Sequence, residues 1–109
     1  TFDSNTAING GGFGSIASSS IMLTQASVNR NLATIGGGVY AVSSSSIYLG
    51  NGSCANYNSA VFGGGMLILS FSSLTLSTSA INGNTASDKG AGLYVSDCSV
   101  TLSISAING

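Results

Sequence analysis

Short apolar pairs separated by one other residue recur along this chain: Ile21 and Leu23, Ile47 and Leu49, Leu74 and Leu76, Val100 and Leu102. Alternation of this kind puts the pair on one face of a strand and the residue between on the other. A second alternation precedes it in each unit. Val39 and Ala41, Met66 and Ile68, Leu93 and Val95 are expected to point inward, with Tyr40, Leu67 and Tyr94 between them pointing out. A third, very short apolar site stands at Phe2, Val28, Ala55, Ile81 and Ile107. No long stretch has a helical period, and serine, threonine, glycine, asparagine and β-branched residues fill each unit, a composition that disfavours helix.

The polar positions keep the same register. The third residue of each glycine cluster falls at Gly12, Gly38, Gly65 and Gly92, spacings of 26, 27 and 27. An upstream asparagine recurs at Asn5, Asn31, Asn58 and Asn84, and two residues later stand Ala7, Ala33, Ala60 and Ala86. Four markers in one register define a solenoid. Leucine-rich repeats share the period but need a leucine pattern that is absent here. The reading is therefore all-β: a right-handed parallel β-helix of about four coils of 26–27 residues, three short strands per coil. The hand is the one expected of parallel crossovers. Serine-rich corners follow the first strand at residues 43–46, 70–73 and 96–99. The first coil is the weakest, because Phe13 and Ser15 spoil its alternation and Gln25 interrupts a strand edge.

The recurring asparagines admit two readings. They are exposed turn residues bonding their own backbone, or an inward ladder of amides that satisfy one another from coil to coil. The apolar neighbours Phe2, Val28 and Ile81 favour the ladder. The glycines are read as tight corners; a phosphate loop would need a lysine, a serine or threonine and a following helix, which are missing.

Composition narrows the function classes. Only 5% of residues are charged, against 43% hydrophobic, and the apolar residues are periodic, so the chain is read as folded. Without a basic patch it lacks the footprint of a nucleic-acid binder. No apolar run approaches the roughly 20 residues of a membrane span, so membrane insertion by this segment is not expected. The chain opens inside a repeat at Thr1-Phe2, and its last residues restate Ser79-Ala80-Ile81-Asn82-Gly83. The expectation is one segment, residues 1–109, of a single β-helix domain cut from a longer solenoid.

Candidate chemistry is sparse. Asp3, Asp88 and Asp97 are the only carboxylates among the side chains, and there is no glutamate or histidine. Glycoside hydrolysis generally needs a carboxylate pair, and these three fall on different edges or coils. No catalytic residue, cofactor or metal site is expected, and the chain is read as non-enzymatic. Cys54 and Cys98 hold inequivalent places in their coils, so free thiols or outside partners are expected. Asn51-Gly52-Ser53 is a formal glycosylation acceptor. Tyr40, Leu67 and Tyr94 form a candidate outward binding stripe for a sugar or a second filament. Tyr48, Thr75 and Thr101 line another face, where Tyr48 and Met22 interrupt the threonine column that an ice-binding surface would need. Expected partners are neighbouring coils of the parent chain, a protein or carbohydrate surface, and further copies associating end to end or laterally.

These motifs resemble the repeats of the chlamydial polymorphic outer membrane protein family and similar surface β-helices. The family pattern is a phenylalanine, two residues and an asparagine, then two glycines and an aliphatic residue. Phe2-Asp3-Ser4-Asn5 matches the first half, with Val28, Ala55 and Ile81 in the phenylalanine place of later coils. Gly37-Gly38-Val39-Tyr40 and Gly92-Leu93-Tyr94 match the second half, with Ala91 departing from it. The resemblance covers the full chain and implies an extracellular or cell-surface stalk, adhesin passenger or filament. The alternative is a carbohydrate-binding or polysaccharide-processing β-helix whose active residues lie outside this segment.

Overall fold

A computed structural model describes residues 1–103 and 105–108. The chain winds as a parallel β-helix of about four coils, with no helix among the described residues. Each coil contributes to four parallel sheets rather than the three expected. The first sheet stacks Phe2–Asp3, Ser27–Asn29, Cys54–Asn56, Ala80–Asn82 and Ala106–Asn108. The second stacks Thr6–Asn9, Leu32–Ile35, Ser59–Phe62 and Thr85–Lys89. The third holds Phe13–Ile16, Val39–Val42, Met66–Leu69 and Leu93–Ser96, and the fourth Ser20–Thr24, Ser46–Gly50, Ser73–Ser77 and Ser99–Ser103.

The additional sheet is the second, in the segment read from sequence as a turn after Asn-x-Ala. Its strands are defined by backbone pairing, such as Thr6 with Leu32 and Ser59 with Thr85. Its side chains carry no shared apolar pattern beyond the alanines. Ala33 and Ala60 are buried, yet both stand outside the main apolar cluster.

That cluster fills the lumen. Val28, Ala55 and Ile81 come from the first sheet, Val39, Ala41, Met66 and Ile68 from the third, and Ile47, Leu49, Leu74 and Leu76 from the fourth. Register explains the stacking: Ile47 pairs with Leu74 and Leu74 with Val100, while Leu49 pairs with Leu76 and Leu76 with Leu102. Burial follows position in the stack. Leu76 is fully enclosed, whereas its column neighbour Leu102 in the last coil is 51% exposed. Val95, expected inward, is also exposed, because among the described residues no coil lies above it. Truncating Leu76 to alanine is expected to cost about 2–5 kcal/mol through lost burial and a cavity. Leu102→Ala should cost clearly less, and equal shifts in the urea midpoint would refute this account of the core.

The first coil contains one unsatisfied group. Ser15 sits in the inward column below Ala41 and Ile68. It is buried, and its Oγ has no hydrogen-bond partner among the described residues. An orphaned buried hydroxyl costs roughly 1–3 kcal/mol. Ser15→Ala is therefore expected to be neutral or stabilising, read as an unchanged or raised thermal midpoint. A clear fall would mean that the hydroxyl has a partner in solution.

Candidate functional site

Four corners join the four sheets, and each is turned by residues in the left-handed region. Between the first and second sheets these are Ser4, Arg30, Tyr57 and Gly83, with φ of 58°, 54°, 57° and 60°. Such a conformation is unfavourable for most side chains, so each coil needs compensating bonds there. Two asparagine columns flank this residue and supply them.

The inner column is Asn5, Asn31, Asn58 and Asn84. The Asn58 Oδ1 accepts from the Asn31 backbone N–H at 2.9 Å and from its Nδ2 at 3.0 Å. Asn84 treats Asn58 alike, at 2.7 and 3.0 Å, and Asn31 does the same for Asn5. Each remaining amide hydrogen reaches back to a strand carbonyl: Asn31 to Phe2, Asn58 to Val28, Asn84 to Ala55. Asn31, Asn58 and Asn84 are buried, and Asn5 in the first coil is exposed. The geometry is that of the inward ladder.

A second column escaped the sequence reading. The Asn29 Oδ1 accepts from the Asn56 backbone N–H, the Asn56 Oδ1 from Asn82 N–H, and the Asn82 Oδ1 from Asn108 Nδ2, at 2.9–3.2 Å. Here each Oδ1 accepts from the coil above, whereas in the inner column each Oδ1 accepts from the coil below. The signal lay in the sequence as Asn29-Arg30-Asn31, Asn56-Tyr57-Asn58 and Asn82-Gly83-Asn84, with Asp3-Ser4-Asn5 beneath. Asp3 meets Arg30 instead, at 3.4 Å on the exposed surface.

Serines play the same part at the other corners. Ser19, Ser45 and Ser72 each donate Oγ to the carbonyl three residues back, and the Ser45 N–H donates to Ser72 Oγ. Cys98 continues this column, its thiol 2.9 Å from Ser96 O and 3.3 Å from Ile68 O. Ser53 bonds Gly50 O and Leu23 O at the remaining corner.

The glycine corners divide their work differently from the expectation. Positive φ falls on the first glycine of each cluster, Gly10, Gly36, Gly63 and Gly90, at 62–67°. Gly12, Gly38, Gly65 and Gly92 do not adopt it; they serve close approach instead. A Cβ on Gly38 would lie 2.5 Å from Gly65 O and 2.9 Å from Asn58 Nδ2.

The proposed outward stripe is corrected. Tyr40, Leu67 and Tyr94 are aligned in register, but Leu67 is only 3% exposed and the tyrosines are half-buried. Its column neighbours cover Leu67 from above and below. The Gly63 turn also folds against it, since a Cβ on that glycine would sit 2.7 Å from Leu67 Cβ. Phe62 packs edge-on against Tyr94 with centroids 6.3 Å apart. This column is a packed elbow and offers no open strip.

The other face is different. Met22, Tyr48, Thr75 and Thr101 form one outward column of the fourth sheet. A Cβ on Gly50, two residues beyond Tyr48 on the same strand, would lie 2.5, 2.6 and 2.7 Å from Tyr48 Cε1, Oη and Cζ. The phenol end of Tyr48 therefore covers Gly50, which is buried although it stands at an outward position.

The remaining candidates stay apart. Asn51 is exposed on a left-handed turn, while Ser53 of the same sequon is buried. Cys54 and Cys98 are free, on the first sheet and the serine corner respectively. Cys54 borders a shallow groove with Ala80 and Ala106, its thiol 3.6 Å from Ser27 Oγ. Asp3 and Asp88 are exposed on separate strands, and Asp97 is exposed at the serine corner. Among the described residues, no group of three or more cysteine, aspartate, glutamate or histidine side chains could hold a metal ion, and no helix is long and apolar enough to cross a membrane.

The class this architecture defines is the parallel β-solenoid, a repeat protein whose corners are bonded by side-chain columns. No known protein family, curated protein or solved structure matches the chain.

Proposed function

We propose that this chain is a structural or adhesive segment of an extracellular or cell-surface β-helix, acting as a stalk, passenger or filament scaffold. The observation that carries the reading is the use of the corners. In each coil they are occupied by asparagine, serine and glycine columns that bond one coil to the next, and the 26–27-residue period leaves no inserted loop. A catalytic site would need reactive side chains brought together in one place, and Asp3, Asp88 and Asp97 stand apart. The resemblance of Phe2-Asp3-Ser4-Asn5 and the glycine motifs to surface-protein repeats supports the same reading.

Lys89 is the sole lysine and is exposed, so it reports location. A membrane-impermeant amine reagent applied to intact cells should modify it. Labelling that appears only after lysis would overturn the surface assignment.

A further inference from the structure

The corner between the fourth and first sheets differs in length from coil to coil. Thr24 pairs with Gly50 and Gly50 with Ser77, while Ser27 pairs with Cys54 and Cys54 with Ala80. Gln25 and Ala26 fill that interval below, and Thr78 and Ser79 fill it above, but between them stand Asn51, Gly52 and Ser53. Ser53 keeps the contacts of the shorter corners, accepting from Ala26 N–H at its Oγ and from Ala80 N–H at its carbonyl. The surplus residue is therefore carried by Asn51-Gly52. Both have positive φ, 52° and 81°, and the Ser53 N–H closes the turn on Gly50 O at 3.2 Å. Asn-Gly suits such a turn.

The same dipeptide is chemically reactive, because an unhindered glycine nitrogen can attack the preceding side-chain amide. Asn9-Gly10 and Asn82-Gly83 repeat it elsewhere in the chain. Both of those glycines are walled in: a Cβ on Gly10 would collide with Phe13 O, and one on Gly83 would lie 2.7 Å from the Tyr57 ring. The Asn82 Oδ1 is also held, by Asn108 Nδ2 at 2.9 Å. Around Gly52 there is nothing within 4 Å of an added Cβ. Asn51 is exposed, and its carboxamide has no hydrogen-bond partner among the described residues.

We infer that Asn51 is a site of spontaneous deamidation, singled out from the three pairs by the lengthened corner. The Gly52 nitrogen attacks Asn51 Cγ and the N–Cγ bond forms. The Cγ–Nδ2 bond breaks, and Nδ2 leaves as ammonia with the proton from the Gly52 N–H. Water then opens the succinimide at one of its two carbonyls, giving aspartate or isoaspartate. The Gly52 N–H donates to Thr78 O at 2.8 Å, so that bond opens first, and no neighbour over the turn resists its swing into solvent. The product carries a negative charge at a corner where Gln25, Ala26, Gly52, Ser53, Thr78 and Ser79 are all uncharged. Isoaspartate also lengthens the backbone, at the place where an extra residue is already accommodated. The inference goes beyond the scaffold role and does not depend on it.

The test is peptide mapping by mass spectrometry of the purified chain held in mildly alkaline buffer, folded and in urea. In the folded chain Asn51 should convert at least about tenfold faster than Asn9 and Asn82, a ratio that a small difference in local opening supplies. In urea the three rates should converge, since only the dipeptide remains. Gly52→Ala should slow conversion of Asn51 by about tenfold through crowding of the attacking nitrogen, with circular dichroism unchanged. Conversion of Asn9 or Asn82 as fast as Asn51 in the folded chain, an Asn51 that converts only in urea, or an unchanged rate in Gly52→Ala would each overturn the inference.

Discussion

Asn58→Ala is expected to destabilise the chain by roughly 3–5 kcal/mol, among the largest effects of any single side-chain truncation. Asn58 is fully buried and makes four bonds through its side chain. Its removal leaves the Asn31 backbone N–H without that partner in a closed interior, and the Asn84 Oδ1 loses one of its two donors. Such orphans cost the full desolvation of the group, roughly 1–3 kcal/mol each. Asn58→Asp separates hydrogen bonding from volume. It keeps the shape but sets an acceptor against Val28 O and Asn84 Oδ1, so it should be no more stable than alanine at neutral pH. Asn5→Ala, at the exposed foot of the same column, should cost about 1 kcal/mol or less. Urea midpoints compared at constant m-value decide the matter. Equal losses at positions 5 and 58 would mean that the ladder does not carry the stability assigned to it.

Gly65→Ala is expected to be comparably severe, about 3–5 kcal/mol or a failure to fold. Its φ is not left-handed, so the cost is one of space. A Cβ would collide with Gly92 O and approach Asn84 Nδ2 and Ile81 Cγ2 at 2.8 Å. Gly92 O already accepts from the Met66 N–H at 3.1 Å, and moving it breaks that link between coils. Gly52→Ala is the contrasting case. Gly52 has φ +81° but nothing within 4 Å of an added Cβ, so only backbone strain of about 1–2 kcal/mol is expected. A larger loss at position 52 than at 65 would refute close approach as the reason for the third glycine.

The sequence disclosed what repeats with the same residue type. Asn31, Asn58, Gly38 and Gly65 kept both identity and spacing, the pair at Ile47 and Leu49 kept its apolar character, and the β-helix follows from them. The second sheet was hidden because Leu32–Ile35, Ser59–Phe62 and Thr85–Lys89 share only an alanine. Backbone pairing with adjacent coils makes them strands, and pairing leaves little trace in side-chain type. Leu67 was misplaced for a related reason. Alternation within one coil tells which way a side chain points, but its exposure depends on Tyr40 and Tyr94 in the coils on either side. The outer asparagines at 29, 56 and 82 were legible, two residues before the inner ones, yet a single asparagine per coil already met the requirement of a turn. Tyr48 was legible as an outward residue. Its reach over Gly50 depends on the missing side chain there, and single-strand alternation carries no information about such a pair.

The opposed donor directions of the two asparagine columns bear on how such a protein changes over generations. From the second coil on, the corner carries one asparagine whose Oδ1 accepts from the coil below and one whose Oδ1 accepts from the coil above. A duplicated coil therefore finds a complementary partner on both sides, and a deleted coil leaves two neighbours that already fit. Gain or loss of 26 or 27 residues preserves the wiring, whereas a single-residue insertion between Asn56 and Asn58 displaces both columns at once. The heritable unit of length is the whole coil.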